Sequence, residues 1–277
     1  GSVDRCKARL VAKGYAQEKG IDFDETFAPT CRMTTIRSMC ALAAHNDWNV
    51  HQLDIKTAFL NGDLHEEVYV MQPRGFVQKG QENKVCRLHK ALYGLKQAPR
   101  AWYEKIHAYL AAHGFQNSPT ESTLYVKCAD DVHLVIAIYV DDMLLTGPNE
   151  NHIADFKADL NASFEMSDLG HLHHYLGIQF KKVDGGIALC QTKYIETLLR
   201  RFGLEDCKPI ATPMETGLKL SLHDAREHID VTLYQIAVGC LIYVCITRPD
   251  IQFLVSQVSK FMHSPRSEHW KAVKQIF

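Results

Sequence analysis

Nowhere do the 277 residues carry an apolar run close to the ~18 positions of a membrane-spanning helix. No signal peptide opens the chain either. Gly1-Ser2 reads as an expression scar on a fragment of something longer, so targeting information is simply not there to read. The nine cysteines are odd in number, scattered, and form no Cys-x-x-Cys pair. That excludes a disulfide framework and reads as reduced, mostly core thiols of an intracellular protein. Among fifteen histidines only "HLHH", His171 to His174, is clustered, and no second ligand pair stands at zinc-like spacing. Surface histidines are the reading. There are no repeats and no low-complexity linker, which leaves one continuous, multi-lobed body. Net charge is −1, so the bulk basicity of many nucleic-acid binders is missing too.

What is there is an ordinary globular composition, 46% hydrophobic and 23% charged. The charges are unevenly placed. Lys84, Arg87, Lys90, Lys96, Arg100 and Lys105 face the single acid Glu104, and Arg5, Lys7, Arg9 and Lys13 face only Asp4. Acids gather at Asp63, Glu66 and Glu67. Either basic stretch alone reads as a solvated face; together they keep a phosphate-binding surface open.

Apolar spacing predicts helices. Ile36, Met39, Cys40 and Ala43 share one face, with Thr34 or Thr35 as the cap. Trp102, Ile106, Tyr109 and Leu110 share another, in a helix that Pro99 opens. Ile153, Phe156 and Leu160 mark a third. Ile195, Leu198, Leu199 and Phe202 mark a fourth, stopped at Gly203. Two more, over Tyr234 to Ile246 and Ile251 to Met262, close the chain around "TRPD". "STLYVK", "LVIAIYV" and "MLLTG" read as strands. Asp141-Asp142 then forms the turn of a tight hairpin, and helices packed on an antiparallel sheet give an α+β fold.

Two adjacent aspartates inside the most apolar stretch, "VIAIYVDDMLLTG", need a reason, because unpartnered ionised carboxylates repel each other and resist leaving water. A solvated turn is one reason. A third carboxylate supplies another: "VHQLDIKTAFLNG" sets Asp54 at the end of a second short β-like run. Carboxylates on neighbouring strand ends can share Mg²⁺ ions, and two such ions serve in-line phosphoryl transfer.

Tyr139-Val140-Asp141-Asp142 matches the Tyr-x-Asp-Asp box of reverse transcriptases. "KARLVAKGYAQ", "QLDIKTAFLNGDL", "ALYGLKQAPRAWY", "HYLGIQF", "QTKYIETLLRRFG" and "YQIAVGCLIYVCITRPDI" follow the order of the same family. From about Lys7 to the C-terminus, the chain resembles the reverse transcriptase of copia-type LTR retrotransposons.

The resemblance implies a right-hand polymerase fold. Residues 1–30 and 62–97 would be fingers, and 31–61 and 98–182 palm. Residues 183–277 would be thumb and the start of a linker towards an RNase H domain that this chain, ending at "HWKAVKQIF", does not include. Asp54, Asp141 and Asp142 fall on the catalytic and metal-binding positions, with the Ile55 carbonyl as a further ligand for two Mg²⁺ ions, replaceable by Mn²⁺. Phe59 matches the steric gate against ribonucleotides. Lys7, Arg9 and Lys13 would clamp the triphosphate, and Tyr93, Gly94 and Val140 complete the nucleotide site. Tyr93 departs from the glutamine of retroviral relatives, so that contact is not carried over. Leu176 and Gly177 fall in the primer grip. Gln235, Gly239 and Tyr243, at i, i+4 and i+8 of one helix, would follow the template–primer. Implied partners are an RNA or DNA template, a primer and dNTPs, with no membrane, inside cytoplasmic virus-like particles. The alternatives are a domesticated or decayed copy that binds nucleic acid without polymerising, and a two-metal nuclease. Intact Asp54, Asp141, Asp142 and Phe59 count against decay, and Phe59 has no role in a nuclease.

Overall fold

A computed structural model describes residues 8–129, 132–215, 217–221 and 227–277. Lys7 lies outside them. The chain divides into two compact units, Gly1–Leu172 and His173–Phe277.

The first unit contains helices α1 (Met33–His45), α2 (Ala58–Asn61), α3 (Ala98–Ala112) and α4 (Glu150–Ser163). Its strands are β1 (Val50–Ile55), β2 (Tyr69–Met71), β3 (Val85–Arg87), β4 (Gln116–Ser118), β5 (Glu121–Ala129), β6 (Val132–Tyr139), β7 (Asp142–Thr146) and β8 (Met166–His171). Six of these form an antiparallel sheet in the order β4-β5-β6-β7-β1-β8, while β2 and β3 pair separately. The fold is thus α+β with antiparallel sheets. Side chains alternate across a strand. On β1 Leu53 and Ile55 enter a core with Met143 and Leu145 of β7, Trp102, Ile106 and Leu110 of α3, and Ile153, Phe156 and Leu160 of α4. The other face of β1 carries Val50 and Gln52, both buried, and ends in Asp54.

The helical faces appear as their spacing predicts, and Pro99 does sit in the first turn of α3. The cap of α1 differs. Arg32 occupies the position and caps with no side-chain bond, because the Thr35 hydroxyl instead donates to Glu121. The cysteines differ as well. Cys31 and Cys40 are buried, while Cys86, Cys128 and Cys207 are exposed, so "mostly core" does not hold.

The second unit holds β9 (His174–Tyr175), β10 (Ile178–Val183) and β11 (Gly186–Cys190), in the sheet order β11-β10-β9. It continues with α5 (Thr192–Arg201), α6 (Val231–Val244), α7 (Gln252–Ser259) and α8 (Ser267–Ile276). Leu198, Tyr234, Val238, Leu241, Val255, Val258 and Val273 form its core. The third closing helix, α8, is an addition to the two expected.

Candidate active site

The hairpin β6–β7 carries the aspartate pair, but not both in the turn. Tyr139 pairs with Asp142, so the two-residue loop is Val140-Asp141 and Asp142 is the first residue of β7. Its other neighbour across the sheet is Asp54. Directly opposed residues of an antiparallel pair share a face, so Asp54 and Asp142 stand together on the face of β1 opposite the α3–α4 core. The Asp141 carbonyl accepts the Ile55 N–H at 2.9 Å, tying the loop to the end of β1.

This crowding has an electrostatic signature. Asp142 is half-buried and its carboxyl is pushed up to about 6, first by burial, then by the charges of Asp141 and Asp54; a hydrogen bond from Gln52 opposes the rise. Gln52 is itself buried. Two residues before Asp54 on the same strand face, it was not among the expected site residues.

The loop is also strained. Val140 has φ +57°, at a hairpin position usually left to glycine, and a β-branched residue there costs on the order of 1–3 kcal/mol. Its carbonyl accepts a 2.7 Å hydrogen bond from Trp102 Nε1.

Around the carboxylates the unit gathers three of the other expected residues. Phe59, on α2, sits half-buried with its ring centroid 5.0 Å from that of Tyr93. The Arg9 guanidinium lies over the Tyr93 ring, 4.5 Å from its centroid. The Tyr93 hydroxyl is raised by burial and further by Asp141 and Asp54, while Arg9 lowers it. Tyr93 therefore links the basic N-terminal segment to the acidic pair. The backbone does so too: Ala12 N–H donates to the Tyr93 carbonyl at 2.7 Å. Gly94 has φ +92°, and a Cβ there would strike the Ala12 carbonyl, so glycine is needed for this close approach. Lys13 is exposed at the start of the short 3₁₀ turn Gly14–Ala16. An apolar cavity of about 240 Å³ adjoins the site, lined in part by Pro99, Phe59, Trp102 and Val140.

The basic stretch is less open than its composition suggested. Asp63 accepts from Lys90 at 2.7 Å and Lys105 at 2.8 Å, which hold its carboxyl down to about 2, and Arg87 pairs with Glu67. The acids gathered at Asp63 to Glu67 neutralise part of it.

The remaining expected residues lie in the second unit. Leu176 and Gly177 form the two-residue loop of the β9–β10 hairpin, with φ +49° and +78°. The Tyr243 hydroxyl donates to the Leu176 carbonyl, and a Cβ on Gly177 would collide with that hydroxyl. Gln235 is exposed and its amide donates to the Met262 carbonyl at 3.1 Å. Gly239 is exposed, and a Cβ built there meets no atom within 4 Å. No packed neighbour among the described residues demands this glycine.

Residues 2–216 match the family model described as "Reverse transcriptase (RNA-dependent DNA polymerase)". The chain belongs to the reverse transcriptase family. It is 44% identical over its whole length to the retrovirus-related Pol polyprotein from transposon RE1 of Arabidopsis thaliana, of which it covers 19%. It is also 44% identical, over 98% of its length, to the corresponding polyprotein from transposon TNT 1-94 of Nicotiana tabacum, covering 21% of it. The putative transposon Ty5-1 protein of Saccharomyces cerevisiae is 34% identical over 81% of this chain and 73% of that protein. The chain thus spans about a fifth of the plant polyproteins it matches. This agrees with the copia-type resemblance of its seven sequence blocks. No helix among the described residues is long and apolar enough to cross a membrane.

The donor set of this reverse transcriptase domain fits a divalent cation. The carboxylates are close enough to raise Asp142, although among the described residues no three His, Cys, Asp or Glu side chains converge into a ready-made cage. Mg²⁺ does not require one, being held by one or two carboxylates plus substrate phosphates.

A pH dependence follows. Because Asp142 titrates near 6 in the fold and near 4 when unfolded, its neutral form favours the folded state. That contribution is complete below about pH 4 and is lost as pH rises through about 6. Without metal, Asp142→Asn is therefore expected to melt higher than the unsubstituted protein at pH 7.5, with the gap closing towards pH 4. Mg²⁺ should narrow the gap at pH 7.5 by stabilising the carboxylate form. Thermal melts with and without Mg²⁺ check this; equal melting temperatures at pH 7.5 would refute it.

Proposed function

We propose that this chain is the polymerising part of a reverse transcriptase, a nucleotidyltransferase extending a primer with dNTPs on RNA or DNA templates. The observation that carries the reading is the register pairing of Asp54 with Asp142, beside Asp141, under a Phe59–Tyr93–Arg9 series. In the right-hand division, residues 1–30 and 62–97 serve as fingers, 31–61 and 98–182 as palm and 183–277 as thumb.

Asp54, Asp141, Asp142 and the Ile55 carbonyl would hold two Mg²⁺ ions, with Mn²⁺ as a substitute. When bound, these ions supply the positive charge that acidifies the primer 3′-hydroxyl and screens the triphosphate. The protein's own share is positioning and charge neutralisation. Arg9, braced on Tyr93, offers a guanidinium fork for triphosphate oxygens, and Lys7 and Lys13 add point charges. Phe59 places a flat ring under the sugar that leaves no room for a 2′-hydroxyl. Tyr93, Gly94 and Val140 border the same nucleotide. Leu176 and Gly177 guide the primer end, while Gln235, Gly239 and Tyr243 face the duplex. Association with virus-like particles in the cytoplasm goes with this reading.

Primer extension on RNA and on DNA templates, with Mg²⁺ and with Mn²⁺, tests the reading. Extension on both templates is expected. Binding of template–primer without any extension would instead establish a nucleic-acid-binding copy that has lost polymerisation.

Gly239 allows a separate test of the thumb assignment. Open space beside it would admit the sugar edge of the duplex. Gly239→Val is expected to shorten products made in one binding event, measured with a heparin trap, and to leave dNTP affinity little changed. Thermal stability should not fall, since valine is a better helix residue than glycine. Unchanged product length would remove Gly239 from the duplex-binding face.

A further inference from the structure

We propose that Trp102 is a positioning residue for the catalytic turn: its indole N–H holds Val140 in the left-handed conformation that sets Asp141 and Asp142 beside Asp54. This rests on the polymerase reading above. The contact is a 2.7 Å hydrogen bond from Nε1 to the Val140 carbonyl, reaching across 38 residues of sequence. Val140 has φ +57°, which a β-branched side chain disfavours and which persists only where its surroundings over-determine it. Two consecutive carbonyls of the loop are fixed by different elements, Val140 by Trp102 on α3 and Asp141 by the Ile55 N–H on β1.

Trp102 is suited to the task because it is rigid. It is 2% exposed and stands edge-on to Phe164, with ring centroids 5.5 Å apart. Together with Phe59 and Val140 it walls the apolar cavity beside the site, where a hydrogen bond is poorly replaced by water. Without the indole N–H, the Val140 carbonyl loses this partner and the valine returns towards extended backbone. The two carboxylates that follow it in sequence move with it. Sub-ångström placement of such groups decides the rate, and a misplacement of about 1 Å can lower it about 10²-fold.

Trp102→Phe keeps an aromatic ring against Phe164 while removing the donor, at the cost of some buried volume. The expected result is a fall in kcat of about 10²-fold, with KM for dNTP rising by a smaller factor, because Val140 alone of the residues bordering the nucleotide moves while Arg9, Tyr93 and Phe59 are untouched. Glycine adopts positive φ without penalty, so adding Val140→Gly to Trp102→Phe should recover much of the lost rate. A loss due to packing alone would not respond to a change at Val140. A readout independent of activity is the NMR signature of Val140 in ¹³C,¹⁵N-valine-labelled, metal-free protein. Its HN–Hα coupling and Cβ shift should move to the extended range in Trp102→Phe. Unchanged kcat, an unchanged Val140 signature, or absence of rescue would each overturn the proposal. Should Trp102→Phe fail to fold, failure of Val140→Gly to restore folding would overturn it as well. If the unsubstituted protein extends no primer, the polymerase reading fails, and the NMR signature alone still decides whether Trp102 sets the turn.

Discussion

Asparagine at any one of Asp54, Asp141 or Asp142 is expected to lower primer extension on the order of 10³-fold while the protein remains folded. An amide has the carboxylate's shape but not its charge, and charge is what two adjacent divalent cations require. The register pairing of Asp54 with Asp142 makes these two the inseparable pair. Asp142→Asn sharpens the test, because the same change that removes activity should raise the melting temperature above pH 6, where burial and its neighbours disfavour the ionised form. Activity and stability would move in opposite directions, the usual sign of a group kept for chemistry against its own folding preference. Single-turnover extension, paired with thermal melts, measures both. Near-normal extension by a folded variant would take that residue out of the catalytic set.

The second large effect concerns the sugar. Phe59→Ala is expected to shift incorporation towards ribonucleotides by about 10- to 100-fold relative to deoxynucleotides, the range that a filled or emptied pocket volume commonly governs. The ring is half-buried and packs against two hydrophobic clusters of the first unit. Its ring centroid stands 5.0 Å from that of Tyr93. A purely structural phenylalanine would lose stability on truncation and leave the rNTP/dNTP ratio unmoved. Competition between labelled rNTP and dNTP on one template distinguishes the two.

How much of this was legible beforehand depended on whether a residue leaves a periodic trace. Ile36, Met39, Cys40 and Ala43, or Ile153, Phe156 and Leu160, recur at helical spacing, and each helix appeared where that spacing put it. Helix α8 was passed over although Ala272, Val273 and Ile276 follow the same rule. Its face is completed by a buried histidine, His269, stacked 3.8 Å from Phe261, and a histidine does not register as apolar. Strand β8, "MSDLGH", has no apolar alternation; its pairing with β1 makes it a strand. Asp54, Asp141 and Asp142 were legible because carboxylates in apolar runs demand an explanation. Gln52 and Trp102 were not. A single hydrogen bond between distant segments follows from the three-dimensional fold, and neither residue type is unusual where it stands.

The two hairpin loops, Val140-Asp141 and Leu176-Gly177, share a further property. Each contains a non-glycine residue at positive φ, and each such residue has its carbonyl held by an aromatic donor far along the chain, Trp102 in one case and Tyr243 in the other. A hairpin whose loop favours its own bend can zip from the loop outward within microseconds. Here valine and leucine oppose the bend at a cost on the order of 1–3 kcal/mol each, and the hydrogen bond from a helix distant in sequence offsets it. The bend of each hairpin is thereby coupled to the packing of a helix, α3 in the first unit and α6 in the second, through a single carbonyl group.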